Sequence, residues 1–553
     1  MKKNVVLAAA LVLAAISQAA AQTPAAPAQA PAAAPAQQAA PFVTAGPRVD
    51  LSIEEAVARA REKNIDIAVA RITPRLSDFS LAGLYANYNV NLTGQGNQQR
   101  TSRLPTSTIQ GISTITPTTT TGWSSGFAKN MYRGGGNWTL NFQNSRVNTP
   151  AANNLRNPQF NSTLAGSYMQ PLMRGLRIDA TRASLQTTVI SQSNDEISVQ
   201  TTTQTTIANV RNAYWDLVYA IQAVDAAQSS LDISNKLVSD NRARVEIGTL
   251  APLDVRTSEA EAANRRLTLV QAQATVRTSE LALKRLIVSG TDDPLWSSSF
   301  NPTDRPPATP EPLNIDAAVA RGLRERTDLQ QSLNSLKISD INLRLQEDQT
   351  RATLNLTASY GLQGLGGPQL ANGTTLPSGY WDAISNIYGF DAPQWNFLVN
   401  FAYPLGRSAQ QATVARSKLS VEQANANLKA LQLQIATDVQ NAAFNVQSSL
   451  ESVQAAAVAR QLAQEKLNAT QSKLDVGMST NYEVVQAQRD FADAQTAELR
   501  AQLNYRKALV NFETAQTVGS RSVGATVGSG TGGTGTTTTN TGGGTTGGGG
   551  GGQ

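Results

Sequence analysis

Acidic pairs such as Glu54-Glu55, Asp292-Asp293 and Glu347-Asp348 are the residues best suited by type and spacing to chemistry. Paired carboxylates can share a proton in acid–base work or offer oxygens to a divalent cation. Neither use has its usual companions here. The chain contains no histidine and no cysteine, which removes imidazole bases, thiolate nucleophiles, disulfide staples and nearly all zinc chemistry. Adjacent acids on helix surfaces or in loops are ordinarily solvated, and no phosphate loop or nucleotide fingerprint follows a strand-like segment. The basic pairs Arg265-Arg266 and Arg506-Lys507 would suit an anionic partner, but a solvated helix face explains them more simply. The formal charge of +6 is spread without a basic run, so no nucleic-acid footprint is expected. The residues point away from an enzyme and call for no metal or cofactor.

The two ends suggest where the chain resides. Met1-Lys2-Lys3, an apolar stretch from Val5 to Ile16 and Ala19-Ala20-Ala21 form a charged start, a short apolar core and a small-residue cleavage site. Residues 1–21 are therefore expected to be an export signal. No later stretch approaches the roughly 18 apolar residues of a membrane helix, so any membrane span must be made of strands. Residues 22–48 are rich in Ala, Pro and Gln, and residues 517–553 in Gly and Thr. Neither segment can bury enough apolar surface to order itself, so they are expected as a linker and a disordered tail.

Between them the chain repeats itself. Val210 to Gly248 lies on Val439 to Gly477 at a constant offset of 229: Asn212-Ala213 matches Asn441-Ala442, Trp215 matches Phe444, and Glu246-Ile247-Gly248 matches Asp475-Val476-Gly477. Upstream, Leu51-Ser52-Ile53 matches Leu313-Asn314-Ile315, and Gln170-Pro171-Leu172 matches Tyr403-Pro404-Leu405. Two copies, 49–290 and 313–516, are thus joined by a Pro-rich linker, 291–312.

Within each copy the hydrophobic period changes. Before the Pro-Leu element it is two: Tyr88, Val90 and Leu92; Trp138, Leu140 and Phe142; Leu354, Leu356 and Tyr360; Trp395, Phe397, Val399, Phe401 and Tyr403, with Asn, Thr and Ser interspersed. Such alternation fits lipid on one side and water on the other, though a sheet over a soluble core reads the same way. After Pro-Leu the pattern turns helical, from about Met173 to Ile247 and from about Arg407 to Val476, with apolar residues recurring every seven positions. Gly248 and Gly477 end these runs, and return segments of the same period follow, so each copy should close with a long antiparallel helical hairpin.

Four strands per chain cannot close a barrel, whose smallest membrane form has about eight, and an open edge in lipid leaves backbone groups unsatisfied. Three chains would give twelve strands. The first copy also holds a Ser/Thr-rich insertion from Arg100 to about Thr121 and a hairpin from Trp123 to Phe142 with Gly134-Gly135-Gly136 at its turn. That hairpin either extends an outer loop or enlarges the barrel to eighteen strands. A periplasmic coiled-coil scaffold or adaptor would need only the helical hairpins.

From about Val49 to Gln516 the chain resembles the TolC-like outer-membrane efflux proteins. The resemblance rests on the duplicated unit, the Pro-Leu elements and the tips Glu246-Ile-Gly-Thr-Leu-Ala-Pro-Leu-Asp-Val and Asp475-Val-Gly-Met-Ser-Thr-Asn-Tyr-Glu-Val. It implies an α+β membrane protein: a homotrimeric β-barrel in outer-membrane lipid, continued by a coiled-coil α-helical barrel in the periplasm. It also implies a passive efflux or type I secretion channel docked to a periplasmic adaptor and an inner-membrane pump. The docking tips would be Gly248, Thr249, Leu250, Ala251 and Pro252 with Gly477, Met478, Ser479 and Thr480, and Leu250 and Met478 are expected to be exposed. Family members carry two aspartates six and nine residues after the second tip glycine, forming acidic rings at the periplasmic entrance. Those positions are Glu483 and Gln486 here, so the resemblance implies a single-ring constriction at Glu483. Ser479 stands where those members have an arginine that helps lock the closed state.

Overall fold

A computed structural model describes residues 47–103, 116–149, 154–304, 313–371, 374–403, 405–406 and 409–519. The export signal, the linker as far as 46, residues 104–115 of the insertion, 305–312, Pro404 and the tail from 520 lie outside the described residues.

The chain begins with β1 (Arg48–Leu51) and helices α1 (Ile53–Lys63), α2 (Ile65–Ala70) and α3 (Ile72–Ala86). Four strands follow, β2 (Asn91–Arg103), β3 (Thr116–Asn130), β4 (Asn137–Asn148) and β5 (Gln159–Pro171), and then the helical hairpin α4 (Ala180–Glu246) and α5 (Pro252–Ile287). A short strand, β6 (Ser299–Pro302), pairs in parallel with β1. The second half contains α6 (Ile315–Glu325), α7 (Thr327–Gln349), β7 (Thr353–Gly366), a small hairpin of β8 (Gln369–Ala371) and β9 (Thr374–Leu376), α8 (Tyr380–Tyr388), β10 (Pro393–Ala402), and the hairpin α9 (Ala409–Asp475) and α10 (Asn481–Ala515).

Helices α4 and α9 are 67 residues each, about 100 Å long at 1.5 Å per residue. The seven-residue spacing becomes their packing seam. Val210, Tyr214 and Leu217 of α4 are buried, and so are Val439, Ala443 and Val446 of α9, at the offset found in the sequence. The core around them draws in Leu51, Ala56, Ala60 and Phe300 on one side and Ala318, Tyr505 and Phe512 on the other. The buried guanidinium of Arg326 ties α7 to α9 through Asp328 at 2.7 Å and Asp438 at 3.3 Å. The ordered chain continues past α10, where Thr517 accepts the Thr327 N–H and Val518 is buried.

Six strands form one antiparallel sheet in the order β10-β7-β5-β4-β3-β2. The Trp123 to Phe142 hairpin therefore lies inside the sheet, with β3 bonded to β2 and β4 bonded to β5; it is not an outer loop. Arg100–Arg103 and Thr116–Thr121 of the insertion are strand residues as well. The sheet separates by face. One row across it holds Trp395, Tyr360, Leu140, Phe127 and Leu92, and the next row of that face holds Phe397, Ala358, Tyr168 and Trp138. The opposite face presents Asn396, Ser359, Ser167, Thr139 and Asn91, then Gln363, Thr163, Gln143, Ser124 and Gln95. Tyr88 and Val90 precede β2 and belong to the turn that leads into it.

Next to the sheet, helices α3, α4, α7 and α9 pack side by side. They follow the strands to which they are joined: β2, β5, β7 and β10. Strands β3 and β4 are interposed between β2 and β5 and have no helix of their own. Among the described residues, six strands of this sheet thus adjoin four helices.

Candidate functional site: the helical tips

Both hairpins turn by the same device. Gly248 and Gly477 adopt φ of 79° and 76°, a left-handed conformation that a side chain would strain. After α4, Gly248 N–H donates to Val245 O and Thr249 N–H to Arg244 O; after α9, Gly477 N–H donates to Leu474 O and Met478 N–H to Lys473 O. Each pair closes a Schellman motif that satisfies the last carbonyls of its helix. Pro252 then opens α5 behind Ala251, and Thr480 caps α10 by accepting Glu483 N–H at 3.3 Å.

The chain brings the two tips together. Arg244 donates to Leu474 O at 3.1 Å and to the Asp475 carboxylate at 2.7 Å. Beneath it, the buried Asn241 donates to Asn481 Oδ1 at 2.8 Å and to Ser258 Oγ at 3.3 Å, while Asn481 donates to Asp254 O at 3.1 Å. Leu237, Leu474, Val484 and Val485 form a small apolar cluster beside this polar layer. One level up, the buried carboxylate of Glu261 accepts from Arg265 on its own helix at 2.7 Å and from Arg489 on α10 at 2.6 Å. Burial pushes the Glu261 carboxyl up, but the hydrogen bond from Arg489 and the charge of Arg265 outweigh it and hold the group below its usual value.

The tip surface is more apolar than the sequence pattern indicates. Met478 is 77% exposed, as expected, whereas Leu250 is half-buried. Ile247, Leu253, Val476 and Tyr482, which the sequence reading did not single out, are also exposed there. The signal that would have found them is their place at the first and last helical turns beside the two glycines. Glu483 is exposed and accepts a hydrogen bond from Ser479 Oγ. Gln486 donates to Asp490 at 2.8 Å, and Lys466 pairs with the same carboxylate at 2.7 Å, so that Lys466 first and Gln486 second hold Asp490 below its usual value.

At least one member of each remaining candidate pair has a structural partner. Asp348 is buried and accepts Gly175 N–H at 2.6 Å, Asp293 caps a 3-10 turn through Leu295 N–H, and Glu55 faces Arg59. Arg506 lies over the rings of Trp215 and Tyr505, and Lys507 pairs with Asp216 at 2.6 Å, so that basic pair bridges α10 to α4. Among the described residues, no group of three His, Cys, Asp or Glu side chains could hold a metal, and no helix is long and apolar enough to cross a membrane.

A sheet with one aromatic and one amide-and-hydroxyl face, continued by two long hairpins with matched glycine tips, defines the architecture of an outer-membrane channel subunit. The chain belongs to the outer membrane efflux protein family, whose model matches residues 139–288 and 318–516. It is 24% identical over 348 residues to the outer membrane protein TolC of Salmonella enteritidis, a match covering 62% of this chain and 65% of that protein. It is 24% identical over 380 residues to the outer membrane efflux protein BepC of Brucella suis biovar 1, covering 68% of this chain and 75% of that one. Its fold is similar to the Campylobacter jejuni CmeC outer membrane channel, with a TM-score of 0.59 at 15% identity over 84% of this chain and 85% of that one.

Proposed function

We propose that three copies of this chain form a ring in which β10 and α9 of each pack against β2 and α3 of the next. The observation that carries this reading is the pair of unpartnered flanks. Strands β2 and β10 are the free edges of the sheet; β2 leads away from the helices and β10 returns to them, so their pairing between chains continues the antiparallel order. On the same two flanks α3 exposes Ile72, Leu76 and Phe79, and α9 exposes Leu419, Leu433 and Phe444. Two dissimilar edges joined head to tail close a ring when the rotation allows it. The aromatic face of the sheet would lie in outer-membrane lipid and the amide face would line water.

In this reading the protein is a passive conduit from periplasm to exterior, the outer-membrane part of a tripartite efflux or type I secretion system. The repeats 49–290 and 313–516 each build part of its wall, with the 291–312 linker at their junction. The exposed apolar residues of the tips meet a periplasmic adaptor, which partners an inner-membrane pump, and Glu483 supplies a ring of three carboxylates at the entrance. A scaffold made only of hairpins would have no use for the six-stranded sheet. One preparation tests the reading: cross-linking in native membranes should give trimers that need detergent for extraction, and Met478→Asp should abolish export without changing the trimer. Monomers only, or release by salt alone, would refute it.

A further inference from the structure

We infer that α8 is an interfacial anchor that lies on the outside of the barrel and seats its aromatic face in the outer leaflet of the membrane. The inference rests on the barrel reading above and adds a lipid-binding surface to it. Strand β7 presents Leu354, Leu356, Ala358, Tyr360, Leu362, Gly364 and Gly366 to one face, the face of the aromatic rows. The apolar run from Leu354 to Leu362 spans about 27 Å along the strand, or about 20 Å along the membrane normal at a tilt of about 40°. Gly364 and Gly366 follow at the end remote from the helices, where the hydrocarbon gives way to headgroups.

These glycines are the seat of α8. A Cβ on Gly364 would lie 1.7 Å from Ala383 O, and one on Gly366 2.1 Å from Gly379 O, so the helix backbone rests directly on the strand. Tyr380 stacks edge-on with Phe160 at 6.0 Å, and Asn386 donates to Leu365 O at 3.1 Å. Below the helix, on the lipid-side face, lie two polar residues that hydrocarbon would penalise. Ser162 is 0% exposed and Asn144 2%; Ser162 donates to Asn144 Oδ1 at 2.6 Å, and the Tyr380 hydroxyl lies 3.2 Å from the same oxygen. The helix thus seals a polar notch in an apolar wall.

Its outward side carries large aromatics beside the exposed Asp382 and Ser385. Trp381 is 76% exposed, Tyr388 80% and Phe390 61%. Aromatic rings with a polar tip favour the headgroup boundary, and short aromatic helices lie in its plane. Phe390 also holds φ of 57°, a left-handed position that a bulky residue rarely takes. Its side chain is left 61% exposed, so contact outside the chain is the use that would retain it. Continuity with the lipid-facing rows makes the outer-leaflet boundary the occupant.

The chain has no cysteine, so single-cysteine variants report cleanly. Tyr388→Cys and Val399→Cys, each carrying an environment-sensitive fluorophore, would be placed in vesicles containing phospholipids with nitroxides at set depths. The Tyr388 probe should emit to the blue and be quenched about twofold or more better by a nitroxide near the headgroups than by aqueous iodide. The added Gly364→Leu, which pushes α8 off its seat, should abolish that preference. The Val399 probe, in the apolar belt, should respond to the mid-bilayer nitroxide. Lipid quenching at Val399 with iodide quenching at Tyr388 overturns the anchor and leaves the barrel standing. Iodide quenching at both positions overturns both.

Discussion

Excising residues 104–150 removes β3 and β4, and because they are one ascending and one descending strand, β2 can then pair with β5 without changing any polarity. The consequence can be worked out from the sheet. If three chains close one barrel, six strands from each give eighteen in the intact barrel, and four from each give twelve after excision. With strands about 4.8 Å apart and tilted about 40°, the backbone radius falls from about 18 Å to about 12 Å. Allowing about 5 Å for the inward Ser, Thr, Asn and Gln side chains, the free radius falls from about 13 Å to about 7 Å. Neutral polymers of graded size, added to the outer side of single channels in planar bilayers, measure that radius directly. The excised channel should exclude polymers that the intact one admits. Equal cut-offs would refute the eighteen-stranded count. A second measurement stands even if the excised chain fails to insert. In the full chain, Gly94→Cys and Ser125→Cys are direct partners on β2 and β3 and should oxidise to a disulfide. Gly94→Cys with Leu164→Cys on β5 should not, and the reverse result would place the hairpin outside the sheet.

Two further outcomes follow from the tips. Glu483→Gln should weaken both cation preference and block by multivalent cations in bilayer recordings, whereas Gln486→Ala should change little, because Gln486 is engaged with Asp490; unchanged selectivity in the Glu483 variant would remove that carboxylate from the entrance. Glu261→Gln should destabilise the tip by about 1–3 kcal/mol near neutral pH, since it removes the shared carboxylate of Arg265 and Arg489. Because the folded carboxyl is held below its usual value, its contribution is present above the unfolded value and lost as pH falls through the folded one. The wild-type tip should therefore loosen on acidification below about pH 4.5, and the variant should lack that limb in proteolysis of the hairpin ends.

The long helices were legible because a seven-residue period sustained over tens of residues leaves few alternatives, and Gly248 and Gly477 mark their ends by a backbone need. Strand β5 was harder, and the structure gives the reason. Its positions on the aromatic face include Ser162, which is covered by α8, and Gly166, whose empty place is bordered by Leu140 and Tyr360. Both break the aromatic alternation that betrays β7 and β10. Helix α8 itself is only nine residues, too short for a periodic signal. At the tips, the choice between an exposed Ile247 and a half-buried Leu250 depends on how a Schellman turn aims its residues, which composition does not encode. The Asn241 to Asn481 bond joins residues 240 apart and belongs to the packing of one copy on the other, beyond the reach of any local pattern.

An inserted hairpin with no helix of its own must still be fixed at its inner end, or the sheet would fray where it meets the helices. The turn between β3 and β4 solves this by docking on the start of α4. Gly135, at φ of 67°, would place a Cβ 2.5 Å from Gly175 O, so only glycine fits that approach. The Gly175 carbonyl is held in turn by Arg182, which is buried, pairs with Asp179 at 2.8 Å and donates to Leu176 O at 3.0 Å. On one side Gln170 donates to Gly134 O at 2.8 Å; on the other Tyr132 stacks edge-on with Tyr88 at 5.4 Å and Asn130 donates to Asn87 O at 3.1 Å. The turn is therefore gripped from the end of β5 and from the approach to β2, the two strands that would be neighbours without it. Those contacts fix the inner end of the hairpin to the strands on either side of it, and in the proposed ring they would let a barrel wider than its tunnel meet it.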